Sequence, residues 1–124
     1  MEQELYQEPT YDYVAGEEKI DDDVVAVATA RAVLGTEGVY ELVGGIGDSI
    51  SKTLLRKEAL SKGLRIDQKE KGIEIDVFIY VFYGARIPDI VFNIQRNVKY
   101  KIQEMTDRKV LAVNIHVQGV RERT

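Results

Sequence analysis

The sequence contains no cysteine and no tryptophan, one histidine (His116) and two prolines (Pro9 and Pro88). Without cysteine there is no disulfide, no thiolate nucleophile and no thiolate-bound metal. One histidine holds a metal only with several carboxylate partners, so no metal site is expected. No stretch approaches eighteen uninterrupted apolar residues, which argues against a membrane-spanning helix. The first eighteen residues are acidic and lack the apolar segment of a signal peptide, so a soluble cytoplasmic chain is expected. Basic residues are also in deficit, 17 against 21 acidic, for a net charge of −4. That balance argues against a general nucleic-acid binder, which needs a basic surface to neutralise phosphates.

The 124 residues suffice for one core and are too few for two. Residues 1–15, MEQELYQEPTYDYVA, mix acids, glutamines and three tyrosines without a period, and read as a mobile acidic arm. The domain is expected over 16–120, with 121–124 as a C-terminal tail. EKI (18–20) reads as a short strand. Asp21, Asp22 and Asp23 then offer cap oxygens and the negative charge that a helix start favours. The run VVAVATARAVL continues that helix, with Gly35 or Gly38 at its end. VYELV (39–43) follows as a short strand. A second helix is expected in DSISKTLLRKEALSKG (48–63), capped by Asp48 or Ser49.

The second half is more strongly patterned. LRIDQKEKGIEIDVFIYVFYG (64–84) predicts a β-hairpin turning at Lys71-Gly72, because Ile73, Ile75, Val77, Ile79, Val81 and Tyr83 alternate strictly. The spacing of Ile87, Ile90, Val91, Ile94, Val98, Ile102 and Met105 predicts an amphipathic helix over 87–106, with Pro88 in its first turn. KVLAVNIHVQGV (109–120) closes as a strand, with Leu111, Val113, Ile115 and Val117 inward and Asn114, His116 and Gln118 outward. The order β-α-β-(α)-β-β-α-β predicts an α+β fold: a two-layer sandwich whose mixed or antiparallel sheet carries two to three helices on one face.

The glycine stretch VGGIGDSISKT (43–53) resembles a phosphate loop without matching one. A P-loop needs glycine immediately before its lysine; here Ser51 precedes Lys52, and Ile46 occupies the other glycine position. Against the dinucleotide pattern, Gly45 and Gly47 fit, but Ile50 stands where the third glycine lets helix approach strand. Gly44, Gly45 and Gly47 do match the GXXG loop by which KH modules clamp a nucleic-acid backbone. Asp48 beside them would repel phosphate. The stretch reads as a connector whose glycines allow positive φ before a capped helix, with the KH-like module as the alternative.

Glu74 and Asp76 are carboxylates at strand spacing, for which cross-strand pairing with Arg65, Lys69 or His116 is the simplest account. His116 falls in an outward polar row with no nucleophile beside it. No catalytic residue, cofactor site or metal site is assigned. Two surfaces remain. One is the outward row of Phe78, Tyr80 and Phe82, too large an apolar patch to stand open. The other is the basic run of Lys52, Arg56 and Lys57, continuing to Lys62 and Arg65, suited to an acidic partner.

The wording of the C-terminal third resembles the signature of the alkaline-shock, or general-stress, protein family of Gram-positive bacteria. The matching residues are Tyr83-Gly84, Pro88, Asn97-Val98, Glu104-Met105-Thr106, Val113 through Val117, and Gly119-Val120. Upstream, Glu37-Gly38-Val39 looks like the family's turn after its opening helix. The similarity covers about residues 16–120, and departs at Asp107, where a glycine would follow the threonine. It implies a cytoplasmic, non-enzymatic protein of the cell-envelope stress response, held near the membrane through an anchored partner. The expected function is therefore interaction or scaffolding by protein–protein contact. Phe78, Tyr80 and Phe82 are expected to be covered either by the middle helix, residues 49–62, as ordinary core, or by a second copy in a homodimer. The homodimer is the reading preferred, because Glu74 and Asp76 share their face; no direct membrane insertion and no cofactor are expected.

Overall fold

The computed structural model describes residues 20–44, 46–47 and 57–122. The first helix, α1 (Asp22–Leu34), starts where the aspartate triplet places it: the Asp21 carboxylate accepts the Asp23 N–H at 3.3 Å. Its residues Val24, Val25, Val27, Ala28, Thr29, Ala30 and Val33 are all buried. A helix apolar on nearly every side belongs inside a layer rather than on its surface. Of the expected strand at 18–20, residues 18 and 19 lie outside the described residues. Ile20 is buried outside any strand and accepts a hydrogen bond from Gln68 Nε2.

Past Gly38 come β1 (Val39–Leu42) and β2 (Ile46–Gly47), an antiparallel pair with Leu42 opposite Ile46. Next are α2 (Lys57–Gly63), β3 (Leu64–Lys69), β4 (Gly72–Phe82), α3 (Ile87–Thr106) and β5 (Val110–Arg121). The second helix was expected from residue 48; α2 is described only from Lys57, and 48–56 lie outside the described residues. Because β5 runs through Arg121, that residue stands in the sheet rather than in a tail.

The sheet is organised round β4. One edge of β4 pairs in parallel with β5 along its whole length, from Ile73 opposite Val110 to Phe82 opposite Arg121. The other edge is shared end to end: antiparallel β3 takes Gly72–Val77, and antiparallel β1 takes Ile79–Val81. The α+β two-layer fold, with a mixed sheet, is therefore as expected. Ile73, Ile75, Val77, Ile79 and Val81 are fully buried beneath α1 and α3, each contributing roughly 1.5–3 kcal/mol of burial.

Two expected faces needed correction. In β5, Leu111 is exposed, while Val110 and Val113 are in the core and Ile115 and Val117 are only partly buried. The pairing shifts between Ile73 and Glu74 and again between Ile79 and Tyr80, and each bulge resets the alternation. On α3 the buried line is Ile90, Ile94, Val98, Ile102 and Thr106; Ile87 and Met105 at its ends are exposed. Thr106 tolerates burial because its hydroxyl donates to Ile102 O at 2.7 Å and accepts Arg108 N–H at 3.0 Å.

Candidate interaction surface

β-strand alternation sends Glu74, Asp76, Phe78, Tyr80 and Phe82 to the face of β4 opposite the helices. All five are half-buried. The short helix α2 does not cover them: Leu60 lies in the core, and the α2–β3 junction packs near Asp22, Asp23 and Ala26 of α1. Among the described residues no helix lies on this side of the sheet.

What partly shields the aromatics is a set of neighbouring side chains. The Phe78 ring stacks on His116, with centroids 4.4 Å apart and planes 12° from parallel. Arg65 places Cζ 5.2 Å from the same ring. Arg121 lies over Tyr80 at 3.9 Å, and Tyr40 meets Phe82 edge-on at 5.1 Å. Gly119 faces Tyr80, where an added Cβ would touch the ring at 3.4 Å. These contacts hold the rings upright as a ridge.

The carboxylates at the other end are paired as expected. Glu74 meets Lys69 Nζ at 3.1 Å, and Asp76 Oδ1 meets both His116 Nε2 and Asn114 Nδ2 at 3.1 Å. The hydrogen bond from His116 holds the Asp76 carboxyl below its usual range, helped by Asn114 and by the nearby charges of His116 and Arg65, against partial desolvation. A histidine that spends Nε2 on a carboxylate and its ring face on Phe78 is positioned as a structural group. Among the described residues no three His, Asp or Glu side chains converge to hold a metal.

Of the other residues singled out in the sequence, Gly44 has φ of +107° in the β1–β2 turn, and Gly47 pairs with Glu41. Gly44 and Gly47 thus belong to a β-hairpin; Gly45, and residues 48–56 with Lys52 and Arg56, lie outside the described residues. Lys57 opens α2. The structure adds Tyr40 and Arg121 to the ridge. It also shows Phe92 and Tyr100 exposed on the outer side of α3, four residues on either side of Arg96, where their helical spacing was legible but unread.

The residues that carried the resemblance have structural work. Asn97 donates to the buried Thr36 hydroxyl at 3.0 Å, tying α3 to the end of α1. Asn114 and His116 meet on Asp76. Consistent with these positions, a model of the Asp23 family, described as having a cell envelope-related function, matches residues 11–122; Asp23 is here the alkaline-shock family's label, not a residue. The chain belongs to this family. It is 34% identical over 108 residues to the uncharacterized protein YloU of Bacillus subtilis, covering 86% of this chain and 89% of that one. It is 34% identical over 113 residues to the uncharacterized protein Spy1535 of Streptococcus pyogenes, covering 90% and 83%. Among solved structures, a variant of the MamM CTD is similar in fold alone, with a TM-score of 0.50, 13% identity, and coverage of 81% of this chain and 96% of that one. No helix among the described residues is long and apolar enough to cross a membrane.

Proposed function

We propose that this alkaline-shock family member is a non-catalytic interaction protein of the cell envelope, working by protein contact through the open face of its sheet. The observation behind this reading is the row of Phe78 and Tyr80, half-buried on a sheet face that carries no helix among the described residues, with Phe82 continuing the row. The first occupant of the ridge is a second copy of the chain. A copy turned end for end sets the two aromatic rows against each other as a shared centre, with charged residues of both signs round it. Packed sheets of this kind lie about 10 Å apart, which suits interdigitating rings. The chain acts on the cytoplasmic side of the membrane, reached through an anchored partner, a placement supported by the family's cell envelope-related description.

Light scattering on purified protein tests the surface. Wild type should be a dimer, and the Phe78→Ser/Phe82→Ser variant a monomer with unchanged far-UV circular dichroism. A monomeric wild type at high concentration would overturn it. Cell fractionation tests the placement: recovery entirely apart from membranes would remove it.

A further inference from the structure

A second surface lies on the opposite layer. The outer face of α3 presents Phe92 and Tyr100, 59% and 67% exposed, with Arg96 Cζ 5.6 Å from the Phe92 ring. Towards the C-terminal end of the helix this face deepens into a groove of about 790 Å³ lined by Lys99, Tyr100, Arg108 and Lys109, with Glu104 and Asp107. Arg96, Lys99, Arg108 and Lys109 have no carboxylate within ion-pair distance among the described residues. Arg108 spends its guanidinium on neutral oxygens: Gln68 Oε1 at 3.3 Å, Glu70 O at 3.3 Å and Lys69 O. Four unneutralised cations beside two exposed aromatics form a surface suited to an acidic, tyrosine-bearing chain.

Such a chain is already attached. Residues 2–18 carry Glu2, Glu4, Glu8, Asp12, Glu17 and Glu18, no lysine or arginine, and three tyrosines. They join the fold at Ile20, whose backbone is bonded to Gln68, and Gln68 is in turn bonded to Arg108 at the groove. The span from Arg108 back to Arg96 is roughly 15–18 Å along the helix. About five or six extended residues cover it. The open sheet face is the poorer match: it carries four carboxylates, Glu41, Asp67, Glu74 and Asp76, against Arg65, Lys69 and Arg121, and Lys69 is already paired with Glu74.

We infer that the acidic segment 2–18 docks on the outer face of the C-terminal half of α3 in its own chain. The contact is electrostatic and weakens with salt.

The lack of cysteine makes the test clean. A spin label on Gln7→Cys is the only one the chain carries, and its broadening of backbone amide signals is mapped in the full-length, nitrogen-15-labelled protein. At low salt the signals of Arg96, Lys99, Tyr100, Gln103 and Lys109 should lose most of their intensity. They should recover at about 0.5 M salt, where the screening length falls to a few ångströms, and in Lys99→Glu/Lys109→Glu. Broadening at Phe78, Tyr80 and His116 instead, or at no site in the fold, overturns the inference. So does equal broadening of unlabelled nitrogen-15 chains mixed with spin-labelled ones, which would place the contact between copies.

Discussion

His116 and Phe78 lie ring on ring, 4.4 Å between centroids, and the same imidazole reaches the Asp76 carboxylate at 3.1 Å. A residue of the family signature thus joins the charged and aromatic halves of the open face. Neighbouring parallel strands supply this geometry directly, since Phe78 and His116 are register partners, as are Asp76 and Asn114.

The pairing makes stability depend on acid. The folded state holds the Asp76 carboxyl below its ordinary value of 3.8, so in that range the unfolded chain binds more protons and stability rises with pH. The contribution is complete above pH 3.8 and is lost as pH falls through the folded-state value. For a pair this exposed it amounts to no more than about 1 kcal/mol after solvent screening. Melting curves of wild type and Asp76→Asn should therefore differ near neutrality and converge in acid. A difference independent of pH would show that the charge is not what matters.

Gly38 and Gly84 separate two reasons for needing glycine. Both have positive φ, +98° and +88°, but a Cβ on Gly38 would meet Ile90 Cδ1 at 2.6 Å, whereas one on Gly84 meets nothing within 4 Å. Gly84→Ala should cost about 1–2 kcal/mol, the backbone penalty alone. Gly38→Ala adds overpacking, for roughly 2–4 kcal/mol in all. Urea denaturation measures both, and equal losses would refute the steric part.

Asp107 ends α3 in the left-handed conformation, φ 60° and ψ 16°, with its N–H on Gln103 O at 3.0 Å. This is the departure from the family's glycine noted in the sequence; the cap forms with an aspartate. Its carboxylate also sits at the negative end of the helix dipole. Asp107→Gly should stabilise by about 0.5–1 kcal/mol and raise the melting temperature by roughly 2–5 °C. A lower melting temperature would contradict this account of the cap.

The legible parts of the fold were those with an uninterrupted period. The alternation from Ile73 to Val81 survives because β4 is paired on both edges and has no bulge of its own to absorb. β5 was misread at Leu111 because its bulges depend on how it meets β4, which no local pattern in VLAVNIHVQGV records. The short i,i+4 line on α3 drifts round the helix until Thr106, not Met105, faces inward. At the open face, the outward side of Phe78, Tyr80 and Phe82 followed from alternation alone. Arg121 and Tyr40 could not be placed there, because each arrives through long-range register: Arg121 from 41 positions beyond Tyr80 in the chain, Tyr40 from 42 before Phe82.

Sharing one edge of β4 end to end divides the sheet into parts that need not open together. The β3–β4 hairpin and the β4–α3–β5 crossover connect neighbours in sequence, while β1 holds its place at Ile79–Val81 with few ladder bonds and long chain separation. A fluctuation can release β1 and β2 while β3, β4 and β5 stay paired. Amide protons of Val39–Leu42 should then exchange with solvent at a lower free energy than those at the centre of β4, the burial of Val39 and Leu42 setting the cost of the excursion. The same excursion lifts Tyr40 from Phe82, so the aromatic end of the ridge is its most adaptable part.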